Sequence, residues 1–431
     1  MSVTRRSLLG LLAATPILAA CAPSGGSSDS GSKSGLSDDG VKEFPLTSWS
    51  ANEAVTKEPL ATIITKYTGA NAGTSISSPS YPYNDYLNQL LLQVRGGELR
   101  GAVQLDVAWL ATLAATGKLA DIASVTEGVD YTEASLELGK VNGKQYAVPW
   151  TQAGIGLIAN SELLQRAGVT SMPKTIDEFE AALRAVKGLG GGPNSGIVPW
   201  AAMTKVDQLK DVLPWMWVFG SPIVDNGKIV IGDDASVAAI TWYKKLYDEK
   251  LIAPDINRFD ARALMSQGRT AFYEDAIGGK ATVLKSSPDP ALGSKLKPFA
   301  RPVRKSGDKP RHLAWGHVVA VIDGPAAYAA AQFAKTITAD PAYTTDWFAK
   351  TGLPPTTKKG LADQKVQTDT FTVDFTREIA ANASASPFWG YPSFSQMEKV
   401  LAEQVQAILI GKATPAAGLA EAQKQMTALA K

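Results

Sequence analysis

The sequence predicts an α/β protein built from two lobes, and two observations carry that reading. From residue 44 onward, apolar runs of strand length alternate with amphipathic runs of helix length, which indicates α/β layers around a largely parallel sheet. The chain has 431 residues, whereas a single hydrophobic core stops growing at about 250–300. Two cores are therefore expected.

The elements follow in order. "FPLTSW" (44–49) has the composition of a buried strand. A helix follows with Leu60, Ile63, Ile64 and Tyr67 on one face and Gly69 as its stop. "QLDVAWL" (104–110) ends a second strand and leads into a short helix over 111–119. Asn142-Gly143 within "GKVNGKQYAVPW" is a hairpin signal, because both residues tolerate positive φ. "GIGLIAN" (154–160) is another strand, with Ser161 placed to cap the helix after it. Thr175 begins the clearest helix: "TIDE" puts Glu178 where a capping box needs it, and Ile176, Phe179, Leu183 and Val186 share a face. Later helices are expected at 235–250, 325–338, 341–351, 394–410 and 415–430.

The N-terminus has a different character. Arg5 and Arg6 precede an apolar run from Leu8 to Ala20, which fits an export signal and is short for a membrane span of roughly 20 residues. Residues 1–20 thus read as a signal peptide, and 21–43 as a Ser/Gly-rich tether with a span of about 25 Å. "LAAC" resembles a bacterial lipobox and "TRRSLL" a twin-arginine export motif. That resemblance implies lipidation at Cys21, the one cysteine in the chain, and attachment to the outer face of the cell membrane.

Composition excludes several functions. Removing residues 1–20 takes away two arginines and no acid, so a formal charge of +2 falls to zero. A neutral body has no electrostatic basis for nucleic-acid binding. His312 and His317 lie near no H-E-x-x-H pattern, no G-x-S-x-G elbow is present, and "GLGGGPNSG" (188–196) lacks the lysine of a phosphate loop. Neither a catalytic centre, a metal site nor a cofactor is expected.

Several stretches together resemble one family. "DVAWLATLAATGKLADI" (106–122), "NGKQYAVPW" (142–150), "GLIANSELLQRAGV" with "PKTIDEFEAALRAVK" (156–187), "GRTAFYED" (268–275), "HLAWGHVVAVIDGPAAYAAAQFAKTIT" (312–338) and "TGLPPTTKKG" (351–360) are similar to family 1 extracellular solute-binding proteins. These are the maltose-binding type of receptor for ABC importers. The resemblance implies a two-lobed periplasmic-binding-protein-like (type II) fold, with hinge segments and a ligand cleft between the lobes. Lobe one would be 44–152 plus 317–365, and lobe two 153–316 plus 366–431. It also implies a monomer that delivers a carbohydrate to membrane permease subunits.

A sugar presents flat C–H patches bounded by hydroxyl groups, so its site wants aromatic faces and carboxylates or guanidinium groups. Candidates at strand ends are Trp49 and Glu53, Asp106 and Trp109, Trp150, Glu274 and Asp275, Trp315, and Trp389 with Tyr391 on "PFWGYPSF". Glu274 and Asp275 are adjacent, so an extended backbone sends them to opposite faces and only one should reach a ligand. Trp242 and Trp347 sit within amphipathic helices and read as core; Trp200, Trp215 and Trp217 stay undecided. Two alternatives remain open: an anchored glycoside-active enzyme, and the same receptor type for a polyamine, peptide, phosphorylated polyol or metal. Arg258, Arg262 and Arg269 leave room for an anionic sugar derivative.

Overall fold

A computed structural model describes residues 36–190 and 196–430. The export signal, Cys21 and most of the tether lie outside the described residues. Within the tether's last residues the chain is already tied to the body: Leu36 packs on the core, and the Asp39 carboxylate accepts the Ala326 N–H at 3.0 Å.

One mixed sheet organises the protein. Its nine strands are β1 (Glu43–Thr47), β2 (Ser75–Ser77), β3 (Ala102–Asp106), β4 (Ala147–Asn160), β5 (Val198–Ala201), β6 (Thr270–Asp275), β7 (Leu296–Phe299), β8 (His312–Val321) and β9 (Ala383–Ser384). Their order is β2-β1-β3-β8-β4-β6-β5, with β7 also on β4 and β9 also on β8. The expectation of a largely parallel sheet needs correction. β1 runs parallel to β2 and β3, and β5 to β6, but every pairing made by β4, and that of β8 with β3, is antiparallel. The two long strands pass from one lobe to the other in opposite directions, so helix–strand alternation alone does not reveal their sense.

β4 and β8 are the spine. Ala147 and Val148 of β4 oppose Ala320 and Val319 of β8, which also pairs with β3. The far end of β4 opposes β6 and β7, from Gly156↔Asp275 to Asn160↔Leu296. Between these halves the β4–β8 register shifts at His317/Val318. The backbones close tightly beside the shift: a Cβ added to Gly316 would lie 2.6 Å from the Thr151 carbonyl oxygen.

Helices cover both faces. Lys57–Ala70 buries Leu60, Ile63 and Tyr67, and it runs through Gly69 before ending at Asn71. The capping box forms at Thr175, where Glu178 N–H donates to the Thr175 hydroxyl at 3.3 Å and the Glu178 carboxylate accepts the Thr175 N–H. The cap of the preceding helix belongs to Asn160 rather than Ser161, since Asn160 Oδ1 takes the Glu162 N–H at 3.1 Å. Asn142 (φ 50°) and Gly143 (φ 78°) form the expected hairpin turn. Helices at Asp234–Asp248, Ala327–Ala339, Pro341–Thr351, Phe394–Leu409 and Pro415–Leu429 match the later expectations.

The core of lobe two centres on Phe179, whose ring lies 5.1–5.9 Å from those of Trp200, Trp215 and Phe272, with Trp200 and Trp215 themselves 5.1 Å apart. Each such pair contributes about 0.5–1.5 kcal/mol beyond its burial. Trp200, Trp215 and Trp217 are thereby settled as buried packing, as are Trp242 and Trp347.

Gly316→Ala should lower stability by about 1–3 kcal/mol in urea unfolding, through overpacking against Thr151. Gly69→Ala, with open space around its Cβ position in a helix, should instead be neutral or gain up to about 1 kcal/mol.

Candidate functional site

Two cavities lie where the lobes face each other, and they share Tyr83, Gln208, Arg258 and Trp315. The inner one has a volume of about 90 Å³ and reaches Glu53, Arg262, Phe259 and His317. The outer one, of about 460 Å³, is bounded by Asp106, Trp109, Lys210, Trp389 and Glu398. The lobes touch on both flanks: Lys285 Nζ donates to the Ala54 carbonyl at 2.6 Å, and Thr112 Oγ1 to the Pro392 carbonyl at 3.3 Å.

Lobe one supplies a wall of interlocked rings. Trp49 opens the short turn after β1 and meets Tyr83, Tyr86, Trp109 and His317 edge-on, at 4.8–5.5 Å between centroids. Trp109 follows β3 by three residues and stacks on Tyr86 at 5.8 Å. Asp106 is buried, with Oδ1 taking the Ala108 N–H at 3.0 Å and Oδ2 the Tyr83 hydroxyl at 2.9 Å. Burial raises its carboxyl pKa, against the Ala108 hydrogen bond and the Lys210 charge. Glu53 is half-buried, and burial raises its pKa too, opposed by Arg262 across the cavity.

Lobe two supplies ordered charges. Arg262 donates to both oxygens of Asp275, at 2.7 and 2.9 Å, while Arg258 pairs with Asp211. Lys210 holds Glu398 at 2.8 Å; burial works against its ammonium, but Glu398 and Asp211 outweigh it and the pKa is raised. Asp275 sits behind, and Asp211 lies at the edge of the outer cavity: they keep 0% and 5% of their side-chain surface exposed, against 20% and 15% for Arg262 and Arg258. The cations therefore face the cavity. Gly279 permits this, because a Cβ there would fall 1.9 Å from Asp275 Oδ2.

Of the residues read from the sequence, Trp49, Glu53 and Trp315 border the inner cavity, and Asp106, Trp109, Trp315 and Trp389 the outer one. Trp150 does not border either; its indole stacks on Trp347 at 4.7 Å within lobe one. Tyr391 packs against the core of lobe two. Glu274 and Asp275 do point to opposite faces, yet neither borders a cavity. Asp275 holds Arg262, and Glu274 is buried in a pair with Arg301, whose guanidinium lies 4.5 Å over the Trp215 ring. Tyr83, Lys210 and Glu398 are cavity residues the sequence reading did not name as candidates, while Arg258 and Arg262, noted there only for an anionic ligand, border the cavities as well. The Tyr81/Tyr83/Tyr86 spacing was the available signal for the first; lobe two's cations gave none beyond the run of arginines near 258–269.

Both histidines are buried, and burial lowers each pKa to about 3, with Arg301 adding to the effect at His312. Among the described residues, no cluster of histidine, cysteine and acid side chains could hold a metal ion.

A family model described as bacterial extracellular solute-binding protein matches residues 62–372. A putative binding protein of Brucella abortus is 23% identical over 210 residues, 46% of this chain and 49% of that protein. The match thus spans about half the length of that relative. The diacetylchitobiose binding protein DasA of Streptomyces coelicolor is 23% identical over 330 residues, 72% of each chain. The maltose-bound MalE3 structure of T. maritima superposes with a TM-score of 0.79 at 21% identity, covering 90% of this chain and 99% of that one. The likeness establishes the two-lobed fold.

Lowered histidine pKa values favour the folded state above pH 6.5, where both folded and unfolded histidines are neutral. That contribution is lost as pH falls from 6.5 towards 3, because only the unfolded chain takes up the protons. Urea unfolding should show about 1.4 kcal/mol lost per pH unit per histidine between pH 6.5 and 4, and His317→Phe should remove its share of the slope.

Proposed function

From a chain that belongs to the bacterial extracellular solute-binding protein family, we propose a receptor that captures a carbohydrate or carbohydrate derivative between its lobes and passes it unaltered to the permease of an ABC importer. One observation carries the reading: aromatic rings of lobe one and cationic donors of lobe two line the same pair of cavities. Rings suit the C–H faces of a sugar, and Glu53, Arg258 and Arg262 suit its hydroxyl groups. The ligands named for two similar proteins, diacetylchitobiose for DasA and maltose for MalE3, support the same solute class.

The hinge in this reading lies at the register shift at His317/Val318 with its partner residues on β4, and the lobes are taken as 44–152 plus 317–365 and 153–316 plus 366–431. Ligand stabilises the closed form because only there does it meet both walls; differential affinity is what moves the equilibrium. Lipid on Cys21 would hold the receptor at the outer membrane face and raise its local concentration near the permease. The cations turned towards the cavity favour a ligand with an acceptor-rich or anionic group over a polyamine. A glycoside-active enzyme needs two free facing carboxyl groups. Of the four acids read from the sequence, Asp106, Glu274 and Asp275 are committed to internal partners, and Glu53 alone is not.

A thermal-shift panel of neutral oligosaccharides, uronic acids and sugar phosphates tests the reading. A ligand at a hundredfold excess over its Kd should add about 2.7 kcal/mol of stability. Trp315→Ala should weaken it roughly tenfold or more. No stabilisation by any sugar, or glycans returned cleaved, would overturn the proposal. Separately, Cys21→Ser should move the protein from the membrane to the soluble fraction, and retention in high salt would refute the anchor.

A further inference from the structure

His317 lies on β8 at the register shift and borders the inner cavity, yet beyond the edge-on contact of its ring with Trp49 nothing above uses its nitrogens. Its ring is held between Trp315, at 4.5 Å and 65°, and Trp49, at 4.8 Å and 89°. Behind it runs a buried polar relay. Ser48 Oγ accepts the Ser50 N–H at 3.1 Å and bonds to Gln104 Oε1, and Gln104 Nε2 lies 3.3 Å from His317 Nδ1.

The relay has one consistent direction. Ser48 and Gln104 are both fully buried, so water cannot complete their bonds. Ser48 already accepts one proton, and its own hydroxyl proton needs an acceptor; Gln104 is the one it meets. The amide must therefore turn its oxygen to Ser48 and its NH2 to the histidine. Nδ1 is then an acceptor, and in a neutral ring Nε2 carries the hydrogen. Among the hydrogen bonds of the described residues, Nε2 has no partner.

We infer that His317 is a ligand-contacting residue that presents a fixed Nε2–H to an oxygen acceptor of the bound solute, with Ser48 and Gln104 as positioning residues that set its tautomer. The inference rests on the receptor reading for the identity of the cavity's occupant. Its own content is a directional donor at the hinge end of the cavity, supplied by a strand rather than by a loop. Burial that keeps the imidazole neutral leaves that donor unchanged across physiological pH.

The other histidine is an internal reference. His312 Nε2 accepts the Arg301 N–H at 3.3 Å and Nδ1 faces the Ile155 carbonyl at 3.4 Å, so its hydrogen belongs on Nδ1. The full chain labelled with 15N-histidine should therefore show two imidazoles of opposite tautomer at pH 7, and His317→Phe should remove the Nε2–H pattern. Gln104→Leu, folded by circular dichroism, should turn His317 into a tautomer mixture. An Nδ1–H assignment for His317, or no change in Gln104→Leu, overturns the relay.

For a sugar that stabilises the wild type in the panel, His317→Phe should bind roughly tenfold more weakly, and His317→Gln, which keeps an N–H donor, should recover part of that loss. Equal affinity within twofold in His317→Phe overturns the contact. If no panel sugar binds the wild type, the receptor reading falls and takes the contact with it, while the tautomer spectrum still decides the relay.

Discussion

The antiparallel ladder between β4 and β8 is the constraint on which the rest depends. Both strands pass from one lobe to the other, so each lobe's sheet is continued by the same two segments. A third segment is stitched beside them: Thr151 Oγ1 donates to the Pro354 carbonyl at 2.9 Å, and Thr356 Oγ1 to the Pro149 carbonyl at 2.8 Å. A regular ladder resists bending, and a register shift is where the twist changes and pairing is locally broken. In the proposed receptor the shift at His317/Val318 thus concentrates compliance at one level, and Gly316 lets the backbones close there without a side chain between them. Trp315 and His317 belong to that same level, so a rotation about it moves them least.

Charge placement follows a second rule. An arginine beside a cavity is useful only if its guanidinium keeps one orientation, and a bidentate carboxylate fixes it better than a point contact does. Asp275 does this for Arg262 from behind, and Asp211 pairs with Arg258. Removing one partner of such a pair would leave a buried charge uncompensated at about 3–5 kcal/mol. Asp275 therefore contributes to recognition through the cation it orients without bordering either cavity, whereas Asp211 orients Arg258 from the edge of the outer one.

That arrangement explains what was legible in the sequence. Helix limits and turns came through where their signals are local: the Thr175 box, the Asn142-Gly143 hairpin turn and the helix at 341–351 depend on residues a few positions apart. Trp49 and Trp109 were recoverable because strand ends meet the cleft in this architecture; Trp315 lies inside β8, beside the register shift. Trp150 follows a strand position just as suggestively, but the stack with Trp347, nearly two hundred residues away, decides its face. Glu274 and Asp275 were correctly split between opposite faces, and Arg262 stood out in the arginine run, yet sequence carries no sign that it pairs with Asp275 or that Arg301 waits on the other side. The same holds for the antiparallel sense of β4 and β8, which rests on pairings between distant segments. Local chemistry was readable; partners set by long-range contact were not.

The two walls are unequal, and the inequality bears on how closure is coupled to binding. Lobe one's rings support one another edge to face, with Tyr83 further tied to Asp106, so that wall is ordered before any ligand arrives. Rings that already pack give up little conformational entropy on contact and recognise apolar faces with little regard to stereochemistry. Lobe two's donors are directional, and their bonds to a ligand require the cleft to close. A solute that fits the rings but misplaces its oxygens gains as much from the open form as from the closed one, and so leaves the hinge equilibrium where it was. Discrimination in the proposed receptor therefore lies in the polar wall and the hinge donor, while the aromatic wall sets the general class of solute that enters.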